Sequence, residues 1–338
     1  MYPGGHMRTI LQRTIIFAAA FSAMTLSLAA ATLKIASVAP EGTPWGAALN
    51  KMAGEWQKAS DGKVVLKIYH NGIAGGESDE IRKMKIGQLQ GAVVTSFGLS
   101  EIAPEVLSLS IPCLIDGDKE LEYIFKKMQP YFASKVEAKG YKVVAWSRAG
   151  WVRFFSKKPI FYPADLKVQK IAANGDDQAL FQTWKTMGYT QVPVNIPDIL
   201  MALNSGMIDA LYSSPIAVGG FQWFGLAKNM SELKIAPFIG AIIIKDSVWK
   251  TIPADVQPKL TAVAKGLETE LNENVTKLEA DAIVTMQKYG LVVNPVSDDA
   301  LKAWKAEFEA GYSKIFGKSF SKEVYDIIVG YKKEFRGK

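Results

Sequence analysis

The sequence predicts an α/β fold in two lobes, and three observations lead there. Strand-like and helix-like runs alternate β-α-β-α-β over the first part of the chain. The alternation then starts again in the middle. Two segments also echo each other: KMKIGQLQGAVVTS and MALNSGMIDALYSS each run from a helix through a glycine to a strand ending in small hydroxyls. In each, the glycine permits the left-handed exit from the helix. Ligands of open α/β sheets sit outside the carboxyl ends of the strands, so two such ends facing each other predict a cleft.

The elements follow in order. TLKIASVAP (32–40) reads as a strand. A helix starts at Pro44, with Trp45, Ala48, Leu49, Met52, Ala53 and Trp56 on one face. KVVLKIY (63–69) is a strand, NGIAGGE a tight loop, and SDEIRKMKI a helix that Gly87 stops. GAVVTS (91–96) is a buried strand, followed by a helix over ELEYIFKKMQPYFASKVEAKG and a strand at YKVVAWS (141–147). These pairings are expected to be substantially parallel.

In the middle of the chain, WVRFFS, KIAAN, TQVPVN and MIDALYSS read as strands, with helices at DDQALFQTWKTMG and PDILMALNSG. An aromatic, irregular stretch (215–236) leads to the apolar strand PFIGAIIIK (237–245), expected to return to the first lobe. One long helix covers 253–290, LVVNPVS is a short strand, and two helices end the chain.

The first residues are excluded from the fold. MRTILQRTIIFAAAFSAMTLSLAAA begins with Arg8 and Arg13, continues through a short apolar run and ends at small residues, the pattern of a cleaved secretory signal peptide over 1–31. MYPGGH before Met7 has no part in this pattern. Removing the two arginines lowers the formal charge from +7 to +5. The lysines are dispersed, which argues against nucleic-acid binding. Cys113 is the only cysteine, so no internal disulfide forms, and no cysteine stands at the leader's end for lipid attachment. The reading is a periplasmic protein.

Several chemistries are excluded by scarcity. His70 is the only histidine beyond the leader, so a Cys/His metal site cannot be assembled and a Ser-His-Asp triad would need that residue. His70 ends a strand beside Asn71-Gly72, where a surface position is expected. No P-loop occurs, and NGIAGG is too loose for a dinucleotide fingerprint. No cofactor is expected.

KIASVAPEGTPWG, DGKVVLKIYHNGIAGGE, KIGQLQGAVVTS, KKPIFYPADLKVQK and ALNSGMIDALYSSP follow one another in register. Together they resemble the extracytoplasmic solute-binding proteins of tripartite ATP-independent periplasmic (TRAP) transporters, over nearly all of the chain after the leader. The resemblance implies a two-lobed periplasmic-binding-protein fold with crossing hinge strands and a long spanning helix. It implies closure around a small organic solute and delivery to TRAP membrane permease subunits driven by an ion gradient. In some branches an additional periplasmic repeat protein takes part. Enzymatic activity is not implied. The expected lobes are 32–153 with 238–285, and 154–237 with 286–338.

The resemblance also locates the cleft walls. The loop at 40–45, the Gly75-Gly76-Glu77 loop and the strand end at Ser96-Phe97 form one wall; the strand at 150–153, the end of KIAAN and Tyr212-Ser213 form the other. The expected ligand-binding set is Trp45, Glu77, Ser96, Phe97, Trp151, Arg153, Asn174, Tyr212, Ser213 and Phe238. Asn174 either donates to the ligand or caps a turn, and Glu77 either touches ligand or caps the helix near Ser78.

The family's usual clamp is missing. Its arginines, which grip an organic acid through their planar forks, fall on Ala172 and Val152 here. Arg153 is adjacent to the second, but strand neighbours point to opposite faces unless a bulge intervenes. With Trp223 and Phe224 also near the cleft, an aromatic, apolar pocket is expected. Three functions remain open: a receptor for a more hydrophobic solute, the same receptor with a carboxylate held by Arg153 or Arg148, and a periplasmic enzyme using His70 or a carboxylate pair. The last is disfavoured because the cleft-facing stretches hold few acid-base groups.

Overall fold

A computed structural model of the chain describes residues 30–173, 178–317 and 320–337. The expected leader lies outside the described residues up to residue 29. Ala31, expected to leave with it, is the first residue of β1 (Ala31–Ser37) and pairs with Val64.

α1 (Pro44–Ala59) begins where Thr43 Oγ1 accepts from the Gly46 N–H, and it buries Trp45, Leu49, Met52 and Trp56. β2 (Val64–Tyr69) and α2 (Glu77–Lys85) follow, and Gly87, at φ +81°, turns the chain into β3 (Gly91–Thr95). α3 (Ser96–Ser100) leads through a 3₁₀ segment (Pro104–Ser110) to α4 (Asp118–Glu137). The two strands expected at 141–147 and 151–156 are one, β4 (Tyr141–Ser156). Its ladder shifts between Arg148 and Trp151, where Gly150 takes φ +87°.

The chain continues with α5 (Pro163–Lys167), β5 (Lys170–Ala173), α6 (Gln178–Thr186), β6 (Thr190–Pro193), α7 (Ile199–Ser205), β7 (Ala210–Ser213), α8 (Pro215–Gly220) and β8 (Asn229–Ser231). β9 (Ala236–Lys245) returns to pair with β3 and β4, and α9 (Asp246–Trp249) precedes the 32-residue α10 (Gln257–Lys288), about 48 Å long. β10 (Val292–Asn294), α11 (Asp298–Ile315) and α12 (Lys322–Arg336) complete the chain.

The strand order is β2-β1-β3-β9-β4-β7-β5-β6, with β8 and β10 on a branch from β4. Parallel pairing holds for β1 with β2 and β3, for β5 with β6 and β7, and for β8 with β10. The centre departs from the expectation: β9 runs antiparallel to β3 and β4, and β4 antiparallel to β7 and β8. A strand that crosses between lobes and one that crosses back must run in opposite directions, which the alternation of local patterns does not reveal.

Apolar clusters fill both lobes. Ile35, Trp56, Val64 and Leu260 pack together in the first lobe; Phe155, Leu203, Trp223 and Met286 in the second. α10 supplies Leu260 to one core and Met286 to the other, so it spans both lobes. α12 packs on α4, with Val324 and Ile328 sharing a cluster with Ile124 and Phe132.

Candidate functional site

A cavity of about 380 Å³ lies between the lobes, within the range of small-molecule sites. The first lobe lines it with the end of β1, Thr43 and Trp45 at the start of α1, Gly76 and Glu77, the end of β3, and Phe97. The second lobe contributes Ala172, Ala173, Asn195, Ile199, Leu211 to Ser214, Ile216 and Trp223. The crossing strands supply Ser147, Ala149, Val152 and Phe238. The lobes also touch. A Cβ on Gly72 would stand 2.9 Å from Pro197 Cγ, and one on Gly220 only 2.5 Å from Thr43 Cγ2. Glycine permits both approaches.

Of the expected site residues, Trp45, Glu77, Phe97, Tyr212, Ser213 and Phe238 line this cavity. Asn174 lies outside the described residues. Ser96 is buried beneath it; its hydroxyl lies 2.9 Å from that of Ser110, and it lines only a smaller neighbouring cavity.

Trp151 and Arg153 do not line the cavity, contrary to expectation. Val152 faces it, and strand alternation turns its neighbours away. Trp151 is fully buried and donates from Nε1 to Asp118 Oδ1 at 2.8 Å. Arg153 donates to Glu279 Oε1 from Nε (3.2 Å) and Nη2 (3.1 Å), and from Nη1 to the Glu232 carbonyl (2.6 Å). The ladder shift comes before Trp151, too early to bring Arg153 round. Arg148 is likewise engaged, donating from Nη2 to the Asn272 carbonyl.

Glu77 takes a role that was not among the two expected. It is the first residue of α2, but its carboxylate serves a different helix. Oε1 accepts from the Thr95 N–H (2.7 Å), and Oε2 from the Thr95 hydroxyl and the Gly98 N–H (2.8 Å each). It thereby holds the β3–α3 turn that presents Phe97. Burial pushes its pKa up, and these hydrogen bonds oppose the rise.

Aromatic rings form much of the wall. Phe97 and Tyr212, from opposite lobes, meet with centroids 6.3 Å apart. Phe221 and Trp223 stack at 4.5 Å. The charged residues among the described lining are acids, Glu77 and Asp79; no lysine, arginine or histidine is among them. The stretch 174–177 reads Asn-Gly-Asp-Asp and holds no cation. Asp79 is held below the usual carboxylate range by its hydrogen bond from Arg82.

The histidine considered for an enzyme lies outside the lining. His70 is buried, contrary to expectation; its Nε2 lies 2.9 Å from Asn50 Oδ1, and it is not in the lining. Cys113 is partly buried and burial pushes its thiol up to about 12. Among the described residues no group of acidic, histidine and cysteine side chains is arranged to hold a metal. No described helix is long and apolar enough to cross a membrane.

Sequence reasoning missed Ser37, Ser147 and Asn195. Asn195 follows a parallel strand, so the strand-end rule could have found it. Ser37 likewise ends β1. Ser147 lies inside β4, where nothing local marks it.

Comparison with known proteins gives a consistent result. The model of the family DctP, "Bacterial extracellular solute-binding protein, family 7", matches residues 35–319. A solute-binding protein of Chromohalobacter salexigens is 26% identical over 88% of this chain and 89% of its own. Two solved structures share the fold. A sugar acid binding protein from Advenella mimigardefordensis, in complex with galactonate, superposes with TM-score 0.84 at 15% identity, over 90% of this chain and 98% of its own. A TRAP periplasmic solute-binding protein from Sulfurospirillum deleyianum, with bound succinate, gives 0.82 at 19% identity, over 89% and 98%.

Proposed function

The chain belongs to family 7 of the bacterial extracellular solute-binding proteins, DctP, and from that premise we propose that it captures an uncharged, largely apolar solute in the interlobe cleft and delivers it to a TRAP-type membrane permease. It is a solute-binding protein and not an enzyme. The observation that carries the reading is a described lining without a cation. A carboxylate bound there would be buried without a cationic partner, at a cost of several kcal/mol. Apolar surface would instead gain about 25 cal/mol per Å² removed from water.

The ligand would touch Trp45, Phe97, Tyr212 and Phe238, with Ser147, Ser213 and Asn195 supplying polar contacts that set its orientation. Glu77 would act from behind, by holding Phe97. The lobes would divide near Arg153, because β4 pairs with β9 through Val152 and with β7 from Arg153 onward. α12 would move with the first lobe. The leader pattern supports export to the periplasm, where the permease, and in some branches a repeat protein, would meet the loaded receptor.

The second reading is an organic acid, favoured by the succinate and galactonate of the solved relatives. For Arg153 to hold it, that side chain would have to leave Glu279.

Native mass spectrometry of protein purified without denaturation, followed by calorimetry with the released solute, succinate and galactonate, tests the choice. A co-purified neutral solute with no succinate or galactonate binding is the expected result. Tight binding of either acid overturns it.

A further inference from the structure

Behind the Phe97–Tyr212 pair lies a second cavity of about 50 Å³ that shares Phe97, Val152, Tyr212 and Phe238 with the main one. We infer that it is a second compartment of the binding site, taking a short unbranched alkyl arm of a solute whose head occupies the main cavity. This rests on the proposed receptor role and narrows the ligand to a two-part molecule.

Of the four residues shared by the two cavities, Phe97 and Tyr212 are rings from different lobes that meet in the partition. Phe97 stands on α3 in the first lobe and Tyr212 on β7 in the second, and both are partly buried. Tyr212 is backed by Trp184, its ring parallel within 6° at 6.4 Å. Phe97 has a side facing each cavity. A wall whose halves belong to different lobes can part when the lobes shift, whereas a wall within one packed core cannot.

The chemistry behind the wall is dry. Leu107, Pro112, Phe154 and Ile235 provide apolar surface. The serine hydroxyls there, Ser96 and Ser110, lie within hydrogen-bond distance of each other at 2.9 Å. A compartment so lined favours hydrocarbon over water. Its size admits an alkyl arm and not a fused ring.

Ala236 lines the second cavity and not the first, so Ala236→Val fills one compartment alone. The probes are xenon, applied under pressure to crystals of the full chain, and the 1,2-alkanediols from propane- to octanediol, followed by calorimetry. Xenon is expected behind Phe97 in the parent and absent there in Ala236→Val. Diol affinity is expected to rise about fourfold per methylene up to the length that fills both compartments, and to stop rising at a shorter chain in Ala236→Val. The shortest diol should bind both proteins equally. An identical chain-length profile in parent and variant overturns the inference. If no diol binds, the main cavity does not take a diol head, and xenon alone decides: an empty space behind Phe97 overturns the compartment. Ser110→Val serves in the same way should Ala236→Val fail to fold.

Discussion

Arg153 and Glu279 form a buried ion pair, Nη2 to Oε1 3.1 Å, that joins the crossing strand β4 to the long helix α10. Oε2 of the same glutamate accepts from the Trp151 N–H at 3.0 Å. Further along, Asn272 Oδ1 accepts from the Arg148 N–H and Glu268 Oε2 from the Trp146 N–H. One face of the helix thus takes up the backbone donors of the strand where its ladder shifts. The arginine nearest to the family's clamp position is used to build the frame.

Removing one member of a buried pair leaves the other charge unpaired. Arg153→Ala is expected to lose about 3–5 kcal/mol of unfolding free energy, read by urea denaturation. Ligand affinity of the folded variant should stay within a few-fold of the parent. A variant of unchanged stability that no longer binds its solute would place the guanidinium in the cleft instead.

Gly150 admits Glu279 to the strand. Its φ is +87°, and a Cβ there would lie 2.5 Å from Glu279 Oε2. Gly150→Ala should therefore destabilise by more than the roughly 1–2 kcal/mol of left-handed backbone strain alone, because the carboxylate must also move. Thermal melts of Gly150→Ala and of Gly150→Ala in a Glu279→Gln background measure this. Equal melting temperatures for parent and single variant would refute the close approach.

Restoring an arginine at the family position should restore acid binding. Ala172 lines the cavity, so Ala172→Arg would aim a guanidinium at the ligand. Calorimetry with succinate is expected to show binding in Ala172→Arg that the parent lacks. Parent protein that binds succinate as well as the variant does would contradict the apolar reading.

Glu80 carries a pH dependence. It is fully buried, and neither carboxyl oxygen has a hydrogen-bond partner among the described residues. Burial, with the charge of Glu77 second, pushes its pKa from 4.5 up to about 9. Between those values the unfolded chain has released this proton while the folded chain keeps it, so stability falls as pH rises. Glu80→Gln, neutral throughout, should match the parent near pH 4 and exceed it by on the order of 3 kcal/mol at pH 7. Melting temperatures from pH 4 to 9 test this, and parallel curves for the two proteins would rule it out.

Local chemistry was legible in the sequence. Pro44 opens α1, Gly87 and Gly206 end their helices in the left-handed region, and the order of motifs marks the family. Side chains a few residues apart decide such features, so a single stretch contains the whole cause. The absence of an arginine at 172 and 152 was legible for the same reason. Tertiary structure alone decided which way Arg153 points, because that depends on where the β4 ladder shifts and on Glu279, 126 residues away. It alone gave Glu77 its partners at Thr95 and Gly98, buried His70, and ran β9 antiparallel to β3 and β4. A slip of one residue in a strand exchanges its two faces, and only the distant groups packed on each face determine which arrangement is stable.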